Sequence, residues 1–375
     1  MNAGLYIHIP FCTKACHYCA FYFVTSGSQK LKFIDALLLE IEQRSIELSG
    51  YQIDTIYFGG GTPSLLSTQE FSVIFEKIYT FYQISPQAEI TIESNPENLT
   101  SEYIQGLKTI GVNRLSIGVQ SFFDDDLSSM NRAHRSSEAI SAIQIATKII
   151  NNVSIDLMFG LPYSGMNSWK ENLKVATSMG VQHISTYNLT VEEKTYLARK
   201  VKRKEVKVEP DDVLNEMYYF TLDYLASKEY VNYEISNFGK ENYFSRHNLG
   251  YWMGTPYIGF GPSAHSYVAA NRRSNKSNLN EYIKSVSSKS IYWEMEALSP
   301  SNQFNEYILT RLRHYQGVNS EELREVFGSE LYSFFIDSAN AYVVKNLLEL
   351  KNGCYILTNN GKVLADLITS DLMID

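Results

Sequence analysis

Three cysteines, Cys12, Cys16 and Cys19, stand in a C-x3-C-x2-C spacing directly after a short apolar run at residues 5–9. Three thiolates on one loop can grip three corners of an iron–sulfur cubane. Such a cluster ordinarily takes four cysteines, so one iron is left open to an outside ligand. An open iron can chelate the amino and carboxylate groups of S-adenosylmethionine and pass an electron into its sulfonium. The expected cofactors are therefore a 4Fe-4S cluster and S-adenosylmethionine. Zinc is the rival metal, but structural zinc wants four ligands, usually as paired C-x2-C knuckles. His17 is the one nearby side chain that could complete such a set, and its adjacency to Cys16 makes a joint chelate awkward. Cys354 stands alone, so the cysteines read as ligands in a reducing compartment rather than as a disulfide framework.

Side chains of this kind need a scaffold that brings several strand ends together. Strand-like apolar runs recur at residues 5–9, 55–58, 89–93, 114–119, 153–158 and 183–188, each followed by a turn signal and a helix-period segment. The helices fall near residues 28–48, 68–83, 100–110, 136–151, 166–179 and 210–227. Parallel neighbours need crossover connections, and these are usually helical, so six β/α units imply an α/β fold with an open, partial (β/α)6 TIM-like barrel. Chemistry in such barrels sits at the C-terminal strand ends. From about Ser299 the pattern changes to helical segments at 302–314, 319–327 and 330–349, a short β stretch at 354–357 and a further helix. This suggests a mainly helical, winged-helix-like domain. The expected division is a core at 1–235, a connecting segment at 236–298 and a C-terminal domain at 299–375.

The cysteine loop resembles that of the radical S-adenosylmethionine superfamily, and most of the chain is similar to its coproporphyrinogen-dehydrogenase-like branch. The glycine run ending in Gly60, Gly61, Thr62 and Pro63 follows the second strand, where missing side chains let backbone approach a ligand. The resemblance implies that this turn meets the methionyl amino group. Glu93, at the end of the third strand, can accept hydrogen bonds from ribose hydroxyls or an ammonium. By resemblance Gln120, Arg132 and Asp156 complete the S-adenosylmethionine site, with the backbone near Thr190 by the adenine and Tyr6 and Tyr18 beside the cysteines.

The segment 246–252 reads Arg-His-Asn-Leu-Gly-Tyr-Trp, an HNxxYW pattern. On its residues alone, His247 is a hydrogen-bonded loop histidine and Tyr251 and Trp252 are core. The pattern is similar to that of heme chaperones within the branch, which implies that His247 contacts heme. As iron ligand, His134 and His265 remain alternatives, since histidine is a common axial ligand. The porphyrinogen dehydrogenases of the branch carry a fourth cysteine two residues after the last ligand, where this chain has Phe21, and a longer segment ahead of the cluster. The expected function is thus a heme chaperone that binds heme and passes it to an acceptor protein, such as a respiratory enzyme. The rivals are an oxygen-independent coproporphyrinogen III dehydrogenase and a radical enzyme acting on another substrate. Each needs a low-potential electron donor of the flavodoxin or ferredoxin type.

Composition narrows the partners. The chain has 375 residues, is 44% apolar and carries 33 basic against 41 acidic residues, a net charge of −8, which argues against nucleic acid. No stretch approaches the roughly 20 apolar residues of a membrane helix, and the N-terminus lacks a basic n-region. The reading is a cytoplasmic protein without a membrane anchor, as a monomer or a dimer. A basic run at 199–207 is expected to be a solvated connecting loop.

Overall fold

The computed structural model describes residues 1–374. Strands β1 (Asn2–Ile9), β2 (Gln52–Gly60), β3 (Gln83–Ser94), β4 (Arg114–Gln120), β5 (Asn152–Phe159) and β6 (His183–Asn188) pair in parallel and in sequence order. The crossovers run through α1 (Lys30–Gln43), α2 (Thr68–Phe81), α3 (Ser101–Thr109), α4 (Asp124–Ser129), α5 (Ser136–Ile149) and α6 (Met166–Ser178). Helices α7 (Tyr196–Lys202) and α8 (Asp211–Ala226) follow β6. Local chemistry sets several of these starts. Ser67 and Glu70 form a reciprocal capping box at α2, and Thr100 and Thr195 cap α3 and α7.

The alternation of side chains along each strand divides the barrel into two surfaces. Leu5, Ile7 and Ile9 of β1, Ile56 and Phe58 of β2, Leu115 and Ile117 of β4 and Ile155 of β5 lie in the main apolar core. The intervening positions carry polar groups, and the register puts them level with one another. Tyr6 pairs with Tyr57, Glu93 with Ser116, Gly118 with Asp156, and Asp156 with Ser185. One lattice of parallel strands thus presents a hydrophobic outside to the helices and a polar inside to a ligand.

The sheet is wider than the six strands expected. Residues 236–298 add β8 (Asn237–Gly239), β9 (Tyr257–Phe260), β10 (His265–Val268), β11 (Asn271–Asn275) and β12 (Trp293–Ala297), with α9 (Arg246–Trp252) and α10 (Leu279–Ser287). With β7 (Val231–Asn232), they extend the sheet to twelve strands in the order β12-β11-β10-β9-β1-β2-β3-β4-β5-β6-β8-β7. These strands are short, β11 is wholly polar and β12 carries two glutamates, so they lack the long apolar runs of β1 to β6. β9 pairs with β1 and β8 with β6 through the backbone, and one buried carboxylate ties the segment after β9 to α1. Glu40 of α1 is fully buried and accepts from the Gly261 backbone N–H at 2.8 Å, the Tyr282 hydroxyl at 2.7 Å, Asn275 Nδ2 at 2.9 Å and Arg44 at 3.2 Å. A charge so buried is tolerated because every acceptor position is used.

A second core, containing Phe304, Ile308, Leu312, Phe335, Tyr355 and Ile368, serves the C-terminal residues. It is built by α11 (Pro300–Arg313), α12 (Ser320–Val344), the three-stranded sheet of β13 (Val318–Asn319), β15 (Cys354–Leu357) and β14 (Leu348–Lys351), and the short helices α13 (Asn359–Lys362) and α14 (Ala365–Asp371). Two expectations need correction. The segment 330–349 does not stay helical to its end, because β14 takes up Leu348 onward. The basic run at 199–207 is not wholly a loop, because its first residues lie in α7, nucleated by the Thr195 cap.

Candidate functional site

The cysteine loop is fastened along its length. Cys12 N donates to Val24 O at 3.0 Å and Val24 N to Pro10 O at 2.7 Å, closing its base. Its middle is tied to the end of α4 by His17 N to Met130 O at 3.1 Å and by the His17 ring Nδ1 to Ser129 O at 2.9 Å. Leu197 N of α7 donates to His17 O at 2.8 Å. His17 therefore serves as a fastener, and its Nδ1 is occupied.

Donors converge on the thiols. The Thr62 hydroxyl lies 3.4 Å from Cys12 Sγ and Arg132 Nη1 lies 3.4 Å from Cys16 Sγ. Burial pushes the Cys12 thiol up to about 11, against the opposing pull of Thr62, and burial also raises Cys19. Thiolates here need a cationic partner, and metal ligation supplies one. Among the described residues no three Cys, His, Asp or Glu side chains converge on a single ion. A cubane takes each thiolate on a different iron, so the three need not converge on a single ion.

The glycine turn packs directly on this loop. Gly61 N and Thr62 N donate to Ile9 O and Phe11 O at 2.8 and 2.7 Å. Gly60 has φ +103°, and a Cβ there would fall 2.5 Å from the His8 ring, so both conformation and space demand glycine. Glu93 is held from two sides, by the Tyr57 hydroxyl at 2.7 Å and by Gly60 N at 3.2 Å. Burial, with the neighbouring Asp156 carboxyl, pushes Glu93 up to about 7 despite these donors. Asp156 sits with Ser116 at 3.4 Å and beside Ser185, and burial raises it too. Gln120, the last residue of β4, has φ +68° at a register shift between β4 and β5. A non-glycine residue held in the left-handed region at a strand end is a strained position of the sort found at ligand sites.

Arg132 joins the parts. Its Nη2 donates to Gly118 O at 2.7 Å and to Asn95 Oδ1 at 2.9 Å while Nη1 reaches Cys16. Tyr18 lies beside the same guanidinium. Thr190 is exposed beyond β6, outside this cluster of contacts. Tyr57 and Asn95, which hold Glu93 and Arg132, were missed in the sequence because one looks like an ordinary strand aromatic and the other like turn chemistry.

The HNxxYW segment forms α9. Its first amides, Arg246 N and His247 N, donate to the Glu89 carboxylate at 3.1 Å each, a carboxylate at a helix N-terminus. His247 is buried and bonded at both ring nitrogens, Nδ1 to Thr55 Oγ1 at 2.7 Å and Nε2 to the Tyr251 hydroxyl at 2.8 Å. Its ring stacks on Tyr57 with centroids 5.0 Å apart, and burial holds its pKa down to about 3. Beyond Tyr251 and Trp252 opens a cleft of about 810 Å³ between the barrel mouth and the C-terminal domain. It is lined by aromatic side chains from both, together with His265, Arg272 and Arg311.

A family model described as the Radical SAM superfamily matches residues 6–176. The protein named "Heme chaperone HemW" of Bacillus subtilis is 33% identical, the alignment covering 96% of each chain. The proteins of that name from Mycobacterium tuberculosis and Lactococcus lactis are 31% and 30% identical, with 99% of this chain covered and 94% and 97% of theirs. This chain belongs to the HemW family. A zebrafish (Danio rerio) relative, "Radical S-adenosyl methionine domain-containing protein 1, mitochondrial", is 31% identical over 100% of this chain and 88% of its own length. Among solved structures, the coproporphyrinogen III oxidase HemN of Escherichia coli superposes with a TM-score of 0.86 at 22% identity, covering 99% of this chain and 90% of HemN. That likeness extends the expected barrel and appended domain to a shared fold. The HNxxYW helix forms one wall of the aromatic cleft.

Proposed function

We propose that this chain is a heme chaperone built on a radical S-adenosylmethionine scaffold, binding heme as cargo and passing it to acceptor proteins. The observation that carries this reading is the aromatic cleft of about 810 Å³, which opens at the barrel mouth behind the HNxxYW helix. Its size lies in the range of pockets that enclose a small ligand. Near-full-length relatives named as heme chaperones support the same reading.

Cys12, Cys16 and Cys19 would hold the 4Fe-4S cluster. When bound, the cluster supplies an open iron for S-adenosylmethionine and a low-potential electron for its sulfonium. The protein's own residues prepare the surroundings. Thr62 and Arg132 place donors on the sulfurs, and Arg132 adds a fixed positive charge beside them. Gly60 and Gly61 bring bare backbone to the methionyl end, and Glu93 offers a carboxylate to ammonium or ribose. Gln120, Asp156, Tyr6 and Tyr18 close the cradle, and the backbone near Thr190 serves the adenine. The C-terminal residues 299–375 form one wall of the cleft, suiting a domain that shapes the face seen by an acceptor such as a respiratory enzyme.

The electron donor of this reading is a flavodoxin- or ferredoxin-type protein. Arg199 lines a cavity with Cys16, Cys19 and Phe21 on the outer side of the cysteine loop, and α7 continues the basic character there. Lys194, Arg199, Lys200 and Lys202 set cations beside Glu192 and Glu193 near the cluster loop, and these cations suit an acidic carrier. Among the described residues no helix is long and apolar enough to cross a membrane. A cytoplasmic setting suits thiols kept for metal ligation.

The test uses anaerobically reconstituted protein in two parallel assays. The chaperone reading expects saturable heme uptake and no conversion of coproporphyrinogen III in the presence of S-adenosylmethionine and reductant. Porphyrinogen turnover would instead make the protein a biosynthetic dehydrogenase despite Phe21.

A further inference from the structure

We propose that His265 is the axial ligand of heme iron in this chain, and that His247 is a positioning residue that acts through Tyr251. The assignment rests on the heme-chaperone reading and goes beyond it by naming the atom that meets the iron.

An axial ligand must offer an unprotonated ring nitrogen that is not already committed to a hydrogen bond. The chain has seven histidines. His247 and His183 are bonded at both ring nitrogens, to Thr55 and Tyr251 and to Ser154 and Tyr233 respectively. His8 lines the cleft but is likewise bonded at both, to the Tyr6 hydroxyl at 3.2 Å and the Tyr22 carbonyl at 2.9 Å. His134 is buried between the Val119 carbonyl and Glu97. His17 and His314 each use Nδ1 locally and lie outside the cleft. His265 lines the cleft, is exposed within it, and has no hydrogen bond to either ring nitrogen among the described residues. Burial and the nearby Arg272 lower its pKa, which keeps the lone pair free at neutral pH.

The backbone at His265 is fixed although its ring is free. It opens β10 and pairs with Ser274 of β11, and Asn275 N donates to Ala264 O at 2.9 Å. The surroundings complement the rest of a heme. Trp252, Tyr257 and Tyr267 offer flat apolar faces for the macrocycle. Arg272, held by Glu306, and Arg311, held by Glu322 at 3.1 Å, place guanidinium groups on the same wall. Each keeps further N–H donors of the planar fork that can meet a propionate. His247 has no such freedom. Its Nε2 instead holds the Tyr251 hydroxyl at 2.8 Å, and Tyr251 packs edge-on against Tyr257, so its removal loosens the cleft wall without removing the ligand.

The experiment is a heme titration of cluster-loaded protein, followed by Soret absorbance, ferric EPR and resonance Raman. His265→Ala should lose the imidazole signature and weaken heme binding by about tenfold or more, since even outer-shell partners of a ligand are typically worth that much. His265→Cys should convert the spectra to a thiolate type, a gained signature that a merely misfolded variant would not show. His247→Ala should weaken binding while keeping the imidazole signature. An unchanged signature in His265→Ala, or its loss in His247→Ala alone, would overturn the assignment and leave the chaperone reading standing. Absence of heme uptake by the unaltered protein would instead remove the reading on which the assignment rests.

Discussion

Glu93 gives the most quantitative handle on the cofactor cradle. Burial pushes it up to about 7, so it passes from neutral to charged across the physiological range. Only the carboxylate attracts an ammonium or accepts from both ribose hydroxyls. With a midpoint near 7, about a tenth of the protein is ionised at pH 6 and about nine-tenths at pH 8, so affinity for S-adenosylmethionine should rise about tenfold between them. His8 and His247, held down to about 4 and 3 by burial, stay neutral over this window and add no slope. The assay is equilibrium binding of S-adenosylmethionine to reconstituted protein at pH 6, 7 and 8. Glu93→Gln should bind weakly at all three. Tyr57→Phe removes the hydrogen bond that favours the charged form and should move the midpoint upward. A raised carboxyl pKa also means that the folded protein binds more protons than the unfolded chain between the usual carboxylate range and 7. Stability from this group therefore falls as pH rises through that interval, and Glu93→Gln should flatten the fall. A flat affinity profile for the unaltered protein, or an undiminished slope in Glu93→Gln, would refute the reasoning.

Three further outcomes are expected. Cys16→Ser should abolish the 4Fe-4S absorbance, because the loop has no spare thiol, and an intact spectrum would overturn the ligand set. Gly60→Ala places a Cβ 2.5 Å from the His8 ring at φ +103° and should cost about 1–3 kcal/mol in chemical denaturation; no measurable loss would show that the turn can relax. Glu40→Ala leaves Arg44, Tyr282, Asn275 and the Gly261 amide without their shared acceptor and should cost about 3–5 kcal/mol. A thermal midpoint unchanged in that variant would mean that backbone pairing and apolar packing hold the added strands without this carboxylate.

The parallel barrel was legible because β1 to β6 carry dense apolar runs separated by turn residues, and the helices between them keep a clear period. What followed β6 was harder to read. Asn271–Asn275 is wholly polar and the edge strand Trp293–Ala297 carries two glutamates, and Asn275 is anchored on Glu40, more than two hundred residues away in the chain. The basic residues of α7 masked a helix whose apolar signal is little more than Leu197 and Val201. Within α12 the backbone of Gly328, φ +82° and ψ 176°, is not helical, so the two helical segments expected there are two helices meeting at a kink. The cysteine loop and strand-end residues stood out by type and spacing. The state of the histidines did not, because which ring nitrogens are occupied depends on partners brought in by the fold: Thr55 for His247, Tyr22 for His8, and none for His265 among the described residues.

Heme transfer tests the central claim most directly. Cluster-loaded protein saturated with heme is mixed with an apo-form heme acceptor, and the acceptor's own heme spectrum is followed with time. The account predicts that heme leaves the chaperone and appears in the acceptor. Heme that is never taken up, or is taken up and never released to an acceptor, would contradict it.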